Sequence, residues 1–200
     1  MTFITSIADL EAHYGTPSAP ALRKVARRMT PLYRQWIMAS KFCVLSTVGP
    51  DGTDGSPRGD DGPVVVEQDP GTLLMPDWRG NNRLDSLRNI VSDGRVSLMF
   101  LVPGSATAVR VNGRAKLSAD EGLRAKFERQ GIRPATVIVV EISEIYTQCA
   151  RAILRAGLWG DRDAPELPSA GDILDEMTKG EINGAAYDAE WPVRAAKTMW

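Results

Sequence analysis

Hydrophobic positions along this chain change period at residue 42. Before it, Leu22, Val25, Met29, Leu32, Trp36 and Ile37 recur three or four residues apart, which predicts a helix with one buried face. Pro31 should interrupt or kink that helix. A shorter peripheral helix is predicted over Ile7 to Tyr14, set off by Pro17 and Pro20. From Phe42 onward the apolar residues fall into short β-type runs: Phe42 to Val48, Val64 to Glu67, Thr72 to Met75, Val96 to Val102, Ala106 to Leu117 and Ala135 to Tyr146. Gly49-Pro50-Asp51-Gly52 and Asp69-Pro70-Gly71 are turn signals between successive runs. Closely spaced strands with tight turns favour an antiparallel sheet or barrel.

Two helical inserts break the β series. One runs from Asn82 to Ser92, with Asn82 as N-cap and Asp85 three residues on, or with Asn81 as the cap after a one-residue shift. The other runs from Ser118 to Gln130, with Ser118 and Glu121 as a capping box. After Gln148 the pattern returns to helix, followed by a proline-bearing linker (Asp161 to Ser169), a helix over Ala170 to Lys179, and an irregular tail to Trp200. The expected architecture is mainly β with helical arms, an α+β chain. It divides into an N-terminal helical arm (1–40), a β-barrel core (41–148) and a C-terminal helical extension (149–200), all one domain.

Composition narrows the function classes. The hydrophobic fraction of 43% is ordinary for a globular chain, and 24 lysines and arginines stand against 25 acids. That balance offers no broad basic surface for nucleic acid or membrane, so any anion site must be local. The longest apolar stretches are far too short to span a bilayer, and the N-terminus lacks a basic-then-apolar signal pattern, so a soluble cytoplasmic protein is expected. Cys43 and Cys149 are the only cysteines, too few and too far apart for a disulfide framework or a metal cluster. His13 is the only histidine. A serine hydrolase normally needs a histidine base, and zinc hydrolases collect several histidines, so chemistry here would be carried by a cofactor.

Three polar clusters could bind one. Pro76-Asp77-Trp78-Arg79-Gly80-Asn81-Asn82-Arg83 joins a strand-like run to an amphipathic helical pattern (Leu84, Leu87, Ile90, Val91). Arg79 and Arg83 near a helix start would offer a phosphate monoester two guanidinium forks, backbone donors and the positive end of a helix dipole. Gly80 would allow close backbone approach. The plainer alternative is a solvated helix start whose arginines pair with Asp77 and Asp85. Ser56-Pro57-Arg58-Gly59-Asp60 adds a hydroxyl and another arginine on an adjoining strand or its rim, although Asp54 to Gly62, dense in glycine and aspartate, also reads as a mobile loop. Finally, Thr107 to Ala115 alternates as a half-buried strand, with Val109 and Val111 on one face and Ala108, Arg110 and Asn112 on the other, which makes Arg110 a candidate ligand-facing cation.

The order of these clusters resembles the pyridoxamine 5'-phosphate oxidase-like family of flavin-binding split barrels. The resemblance is clearest from Phe42 to about Leu117 and rests on Leu73 to Arg83, Leu84 to Ser92, Val96 to Val102, and Arg110-Val111-Asn112-Gly113. A closer likeness is to a branch of FMN-dependent enzymes marked by Ser-Pro-Arg-Gly-Asp (Ser56 to Asp60), Asp-x-Arg-Gly-Asn-x-Arg (Asp77 to Arg83), and a cysteine-alanine segment followed by Leu-Trp (Cys149 to Ala152, Leu158-Trp159).

The resemblance implies an antiparallel split β-barrel of the FMN-binding type and a homodimer with two flavin sites at the subunit interface. Carried over, Arg79, Asn82 and Arg83 serve the phosphate end within the Asp77 to Arg83 motif, Ser56 and Arg58 lie along the flavin, and Arg110 lies near phosphate or ring. It implies an FMN-dependent oxidoreductase acting on an unidentified small molecule. Within the same fold the deazaflavin F420 is an alternative cofactor, and a non-catalytic flavin- or haem-binding protein is an alternative role. Recognition of pyridoxine phosphates in the family uses a C-terminal Arg-x-His pattern, which a chain whose single histidine is His13 lacks, so that oxidase activity itself is not expected. Tyr146, Cys149, Trp159 and Trp200 are candidates for the substrate side or the dimer seam, although aromatic residues near chain ends more often pack for stability. Acids interleaved with the arginines argue against nucleic acid.

Overall fold

The computed structural model describes residues 1–160 and 165–199. Seven antiparallel strands form the core: β1 (Phe42–Gly49), β2 (Gly52–Gly59), β3 (Val66–Asp69), β4 (Thr72–Asp77), β5 (Arg95–Leu101), β6 (Ala108–Ser118) and β7 (Thr136–Gln148). They lie in the order β2-β1-β5-β6-β7-β4-β3. The five apolar runs at β1, β4, β5, β6 and β7 become the central strands. Their alternate residues, among them Leu45, Leu73, Leu98, Phe100, Val109, Val111, Ile138, Val140 and Ile145, are fully buried on one face. The sheet curls into a split barrel: β2, at one edge, comes back to β4, next to the other edge, where Arg58 pairs with Asp77 at 2.5 Å.

Asp54 to Gly62 is not a free loop. Gly52 to Gly59 pairs with β1 along its whole length, from Gly49 opposite Gly52 to Phe42 opposite Gly59. Of the two readings of this stretch the strand is the one observed, although no apolar run marks it, because it has glycine and proline where strands usually carry β-branched residues. As an edge strand it tolerates Pro57, which needs only one hydrogen-bonded neighbour. The run at Val64 also shifts: Val64 and Val65 are buried ahead of β3, which begins at Val66.

The helices are α1 (Ile7–Ala12), α2 (Ala19–Arg23), α3 (Pro31–Met38), α4 (Asp85–Ser92), α5 (Glu121–Ala125), α6 (Arg151–Ala156), α7 (Ala170–Thr178) and α8 (Gly184–Thr198). Four expectations change. The helix expected through Leu22 to Ile37 is interrupted rather than kinked: α2 ends at Arg23, and Pro31 starts α3 behind the Thr30 cap. Between them the chain is extended, and Ala26 bridges to Ile145 while Met29 donates to the Pro70 carbonyl at 2.7 Å. Of the expected apolar face only Met29 and Ile37 are buried, whereas Leu22 and Leu32 are exposed. The second insert is capped by Asp120, which accepts from the Leu123 amide, and Ser118 ends β6 instead.

The third change is at the first insert: Asn82 does not cap it. The helix starts at Asp85 behind Leu84, which holds a left-handed backbone (φ 65°) and gives no side-chain cap. Fourth, the tail is not irregular, since α8 runs for 15 residues with Pro192 inside it. It packs on α7, and Asp188 accepts from the Ser169 hydroxyl and the Gly171 amide. Trp200 and part of the 161–169 linker (residues 161–164) lie outside the described residues. Among the described residues no helix is long and apolar enough to cross a membrane.

Gly113 sits where the β6–β7 register shifts, and a Cβ there would collide with the Glu141 carbonyl oxygen. Gly113→Ala should therefore cost about 2 kcal/mol or more and lower the Tm by roughly 5 °C in a thermal melt. The cysteines should also separate. Cys43 is buried against the core and desolvation pushes its thiol up to about 12, the nearby Arg58 charge only partly opposing this, whereas Cys149 is exposed. Iodoacetamide at pH 8 should alkylate Cys149 alone in the native protein and both after denaturation.

Candidate functional site

Along β2 the side chains alternate, and the half-buried set is Asp54, Ser56 and Arg58. They stand opposite Thr47, Leu45 and Cys43 of β1, all of which are buried. An interior face made of a carboxylate, a hydroxyl and a guanidinium gives up the burial that hydrophobic residues would have contributed. What it provides is a polar wall along an open cleft of about 1350 Å³, lined also by the end of β4, the 78–84 loop and the first turns of α4.

Ser56, Arg58, Asp77, Arg79, Asn82 and Arg83 all line this cleft. Arg110 does not. It projects from β6 between Met99 and Tyr146, with its guanidinium 5.5 Å from the Tyr146 ring centre and its Nε buried without a partner. Beside it Asn112 donates to Glu144 at 2.7 Å. Tyr146 therefore belongs with Arg110 rather than with the cleft. Trp159 donates its indole N–H to the Ser105 carbonyl at 2.7 Å and Cys149 is exposed, so neither lines the cleft.

Asp77 extends β4 two residues beyond the apolar run, and its carboxylate faces Arg58 across the seam. Both side chains are largely buried, at 19% and 12% exposure, so the pair is screened far less than a surface ion pair. Arg58 Nε remains without a partner, as does the buried hydroxyl of Thr136, the cross-strand neighbour of Asp77. Both residues line the cleft, and a buried polar atom without a protein partner is costly unless a ligand or water satisfies it.

The 78–84 loop carries the other cations. Arg83 bonds Asp85 at 2.9 Å, and its amide donates to Asn81. Arg79 and Arg88, by contrast, make no ion pair among the described residues. Asn82 and Leu84 both hold positive φ, an uncommon backbone for leucine, and the start of α4 has no side-chain cap. Cationic donors, free first-turn amides and a glycine with open space around it thus occupy one end of the cleft. Around them lie Met75, Leu87, Val91, Leu117 and Met199, an apolar lining suited to a flat, mostly hydrophobic ligand.

Residues missed in the sequence are Thr136, Arg88, Ser86 and Asp54, and Asp60 is legible there only as the end of the Ser56 to Asp60 cluster. Arg88 was open to detection, because it lies one helical turn beyond Leu84 and so returns to the helix start. Ser86, buried, donates to Asp54, a pairing of residues 32 apart in the chain. Thr136 and Asp60 are placed by strand register and by contacts across the seam, which no local pattern announces.

Two substitutions separate scaffold from site. Arg58→Met leaves the Asp77 carboxylate buried and unpaired, which should cost about 3 kcal/mol in a denaturant melt. Arg79→Ala removes an exposed side chain without an ion pair, and should change stability by less than about 0.5 kcal/mol.

The family profile described as pyridoxamine 5'-phosphate oxidase matches residues 29–149. Among solved structures, HupZ of Group A Streptococcus is 15% identical over 60% of this chain and 93% of its own, with a TM-score of 0.49. An FMN-binding protein from Syntrophomonas wolfei is 15% identical over 58% and 83%, with a TM-score of 0.45. General Stress Protein 26 from Bacillus anthracis is 19% identical over 56% and 88%, with a TM-score of 0.43. No curated protein sequence matches.

Proposed function

The chain belongs to the pyridoxamine 5'-phosphate oxidase family, and from that premise we propose that its cleft holds FMN and that the protein is an FMN-dependent oxidoreductase of a small molecule. The observation that carries this reading is the gathering of Arg79, Arg83 and Arg88 at the uncapped start of α4, in the same cleft as the partnerless Arg58 Nε and Thr136 hydroxyl. These residues fit a phosphorylated flavin: one end of the cleft offers charge and amides to a phosphate, and the seam offers isolated donors to a heterocycle.

A flavin, when bound, supplies hydride or electron exchange with the substrate. The chain's own tasks are then binding and orientation. Arg79 and Arg83, with Arg88, would neutralise the phosphate, and Asn82 would add an amide side chain. Ser56 and Arg58 would hold the ring along β2, with Arg58 kept in place by Asp77. No side-chain acid or base is required, which suits a cleft without histidine: His13 caps the end of α1. Oxidation of pyridoxine phosphates is not part of the proposal.

The proposal includes a homodimer. Arg110, Asn112, Glu144 and Tyr146 share the outer face of the sheet with Phe42 and Met99, large hydrophobics that are exposed. Covering that face with a second copy would bury them and bring Arg110 toward the other subunit's cleft. Met99→Arg puts a charge on that face and should shift the protein from dimer to monomer mass in light scattering; a dimer that persists contradicts the assignment.

Freshly purified protein should show the two visible flavin bands, and mass analysis of the released cofactor should give FMN rather than the deazaflavin F420. Arg79→Ala with Arg83→Ala should strip the cofactor while the thermal melt stays close to that of cofactor-free wild type. A protein that stays colourless after incubation with FMN, or a double variant that keeps its flavin, overturns the reading.

A further inference from the structure

Four arginines and five aspartates line the cleft among the described residues, so taken alone its wall would repel an anion slightly. Asp77 and Asp85 are paired with Arg58 and Arg83, whereas Asp54 accepts only from the neutral Ser86 hydroxyl and keeps its charge. Asp60 and Asp61 remain, and the cation that answers them comes from outside the lining. We propose that Arg129 is the positioning residue of this cleft: it fastens the β2–β3 loop to the β4–α4 loop and offsets one of the two negative charges that Asp60 and Asp61 would otherwise turn toward the bound anion.

Arg129 lies in a tight turn between α5 and β7, closed by reciprocal hydrogen bonds with Ile132 of 2.9 and 2.8 Å, so its backbone is fixed. Its guanidinium fork spans two carboxylates, Nη2 to Asp60 at 2.5 Å and Nη1 to Asp61. The Asp60 carboxylate is only 3% exposed and is satisfied on every side. Besides Arg129 it accepts the Gly62 amide at 3.1 Å and the Trp78 indole N–H at 3.1 Å. The guanidinium also stands over the Trp78 ring, 5.7 Å from its centre. One side chain thus holds Asp60 and Asp61 after β2 and Trp78 after β4, three residues that line the cleft. The hydrogen bond from Arg129 also keeps the Asp61 carboxyl below its usual range.

With Arg129 in place, the cations left without an acid partner in the lining are Arg79 and Arg88, at the phosphate end. Remove it, and a buried carboxylate beside Trp78 loses its counter-charge, while the loop that carries Arg79 loses the anchor at its first residue. The inference rests on the cofactor reading for the consequence, though not for the fastening itself.

Two measurements test it. In ligand-free protein, Arg129→Gln should speed amide hydrogen exchange at least about tenfold both at residues 60–62 and at 78–80, leaving the β5–β6–β7 amides unchanged; exchange unaltered in either loop overturns the fastening. In an FMN titration, Arg129→Gln should raise the Kd at least about tenfold, and adding Asp60→Asn should recover most of that loss. Failure of the rescue, or wild-type affinity in Arg129→Gln, overturns the charge role. Wild-type protein that takes up no FMN sinks the cofactor reading and leaves the exchange measurement to decide the role of Arg129.

Discussion

The Arg58–Asp77 ion pair is the constraint on which the cleft depends. A seven-stranded sheet ordered β2-β1-β5-β6-β7-β4-β3 has two edges, and β2 shares no backbone hydrogen bonds with β4. The pair joins them at 2.5 Å with both side chains largely buried. Strand pairing would have sealed the seam, whereas a side-chain bridge leaves room on either side of it. The cleft occupies that room, with the polar inner face of β2 as one wall and the 78–84 loop as the other.

This division separates stability from function along the sheet. On β1, β5, β6, β7 and β4 the inner positions are mostly apolar and buried, Thr47 and Asp77 at the cleft excepted, and they supply the hydrophobic free energy of folding. On β2 the inner positions are Asp54, Ser56 and Arg58, which contribute little of it. Left-handed Leu84, the uncapped α4 start and the partnerless Arg58 and Thr136 atoms lie along the same cleft. Local rules fail together there, as expected at a site that stores some strain for binding.

Much of this was legible in the sequence. The central strands announce themselves by apolar alternation, and Asp77, Arg79, Asn82 and Arg83 form a phosphate-site pattern that the fold does bring to one cleft with Ser56 and Arg58. The edge strand was hidden, because its residues are chosen for the cleft and carry little strand propensity. The cap of α4 lies two residues beyond the expected Asn82, a good cap by type, because the chain takes a left-handed turn through Leu84 instead. The α8 helix was hidden by Pro192, tolerated in a helix otherwise rich in alanine. Thr136 and Arg129 reach the cleft region through β7 register and a loop 68 residues beyond Asp61, distances at which a single sequence holds no signal.

The central claim is that the arginine-bearing loop and the start of α4 hold the phosphate of a flavin. Comparing the dissociation constants of FMN and riboflavin for the wild-type protein isolates that contact, since the two ligands differ only in the phosphate. The account predicts FMN binding at least about 100-fold tighter, or about 2.8 kcal/mol, with the gap narrowing as salt is added. Equal affinities at low ionic strength would contradict it.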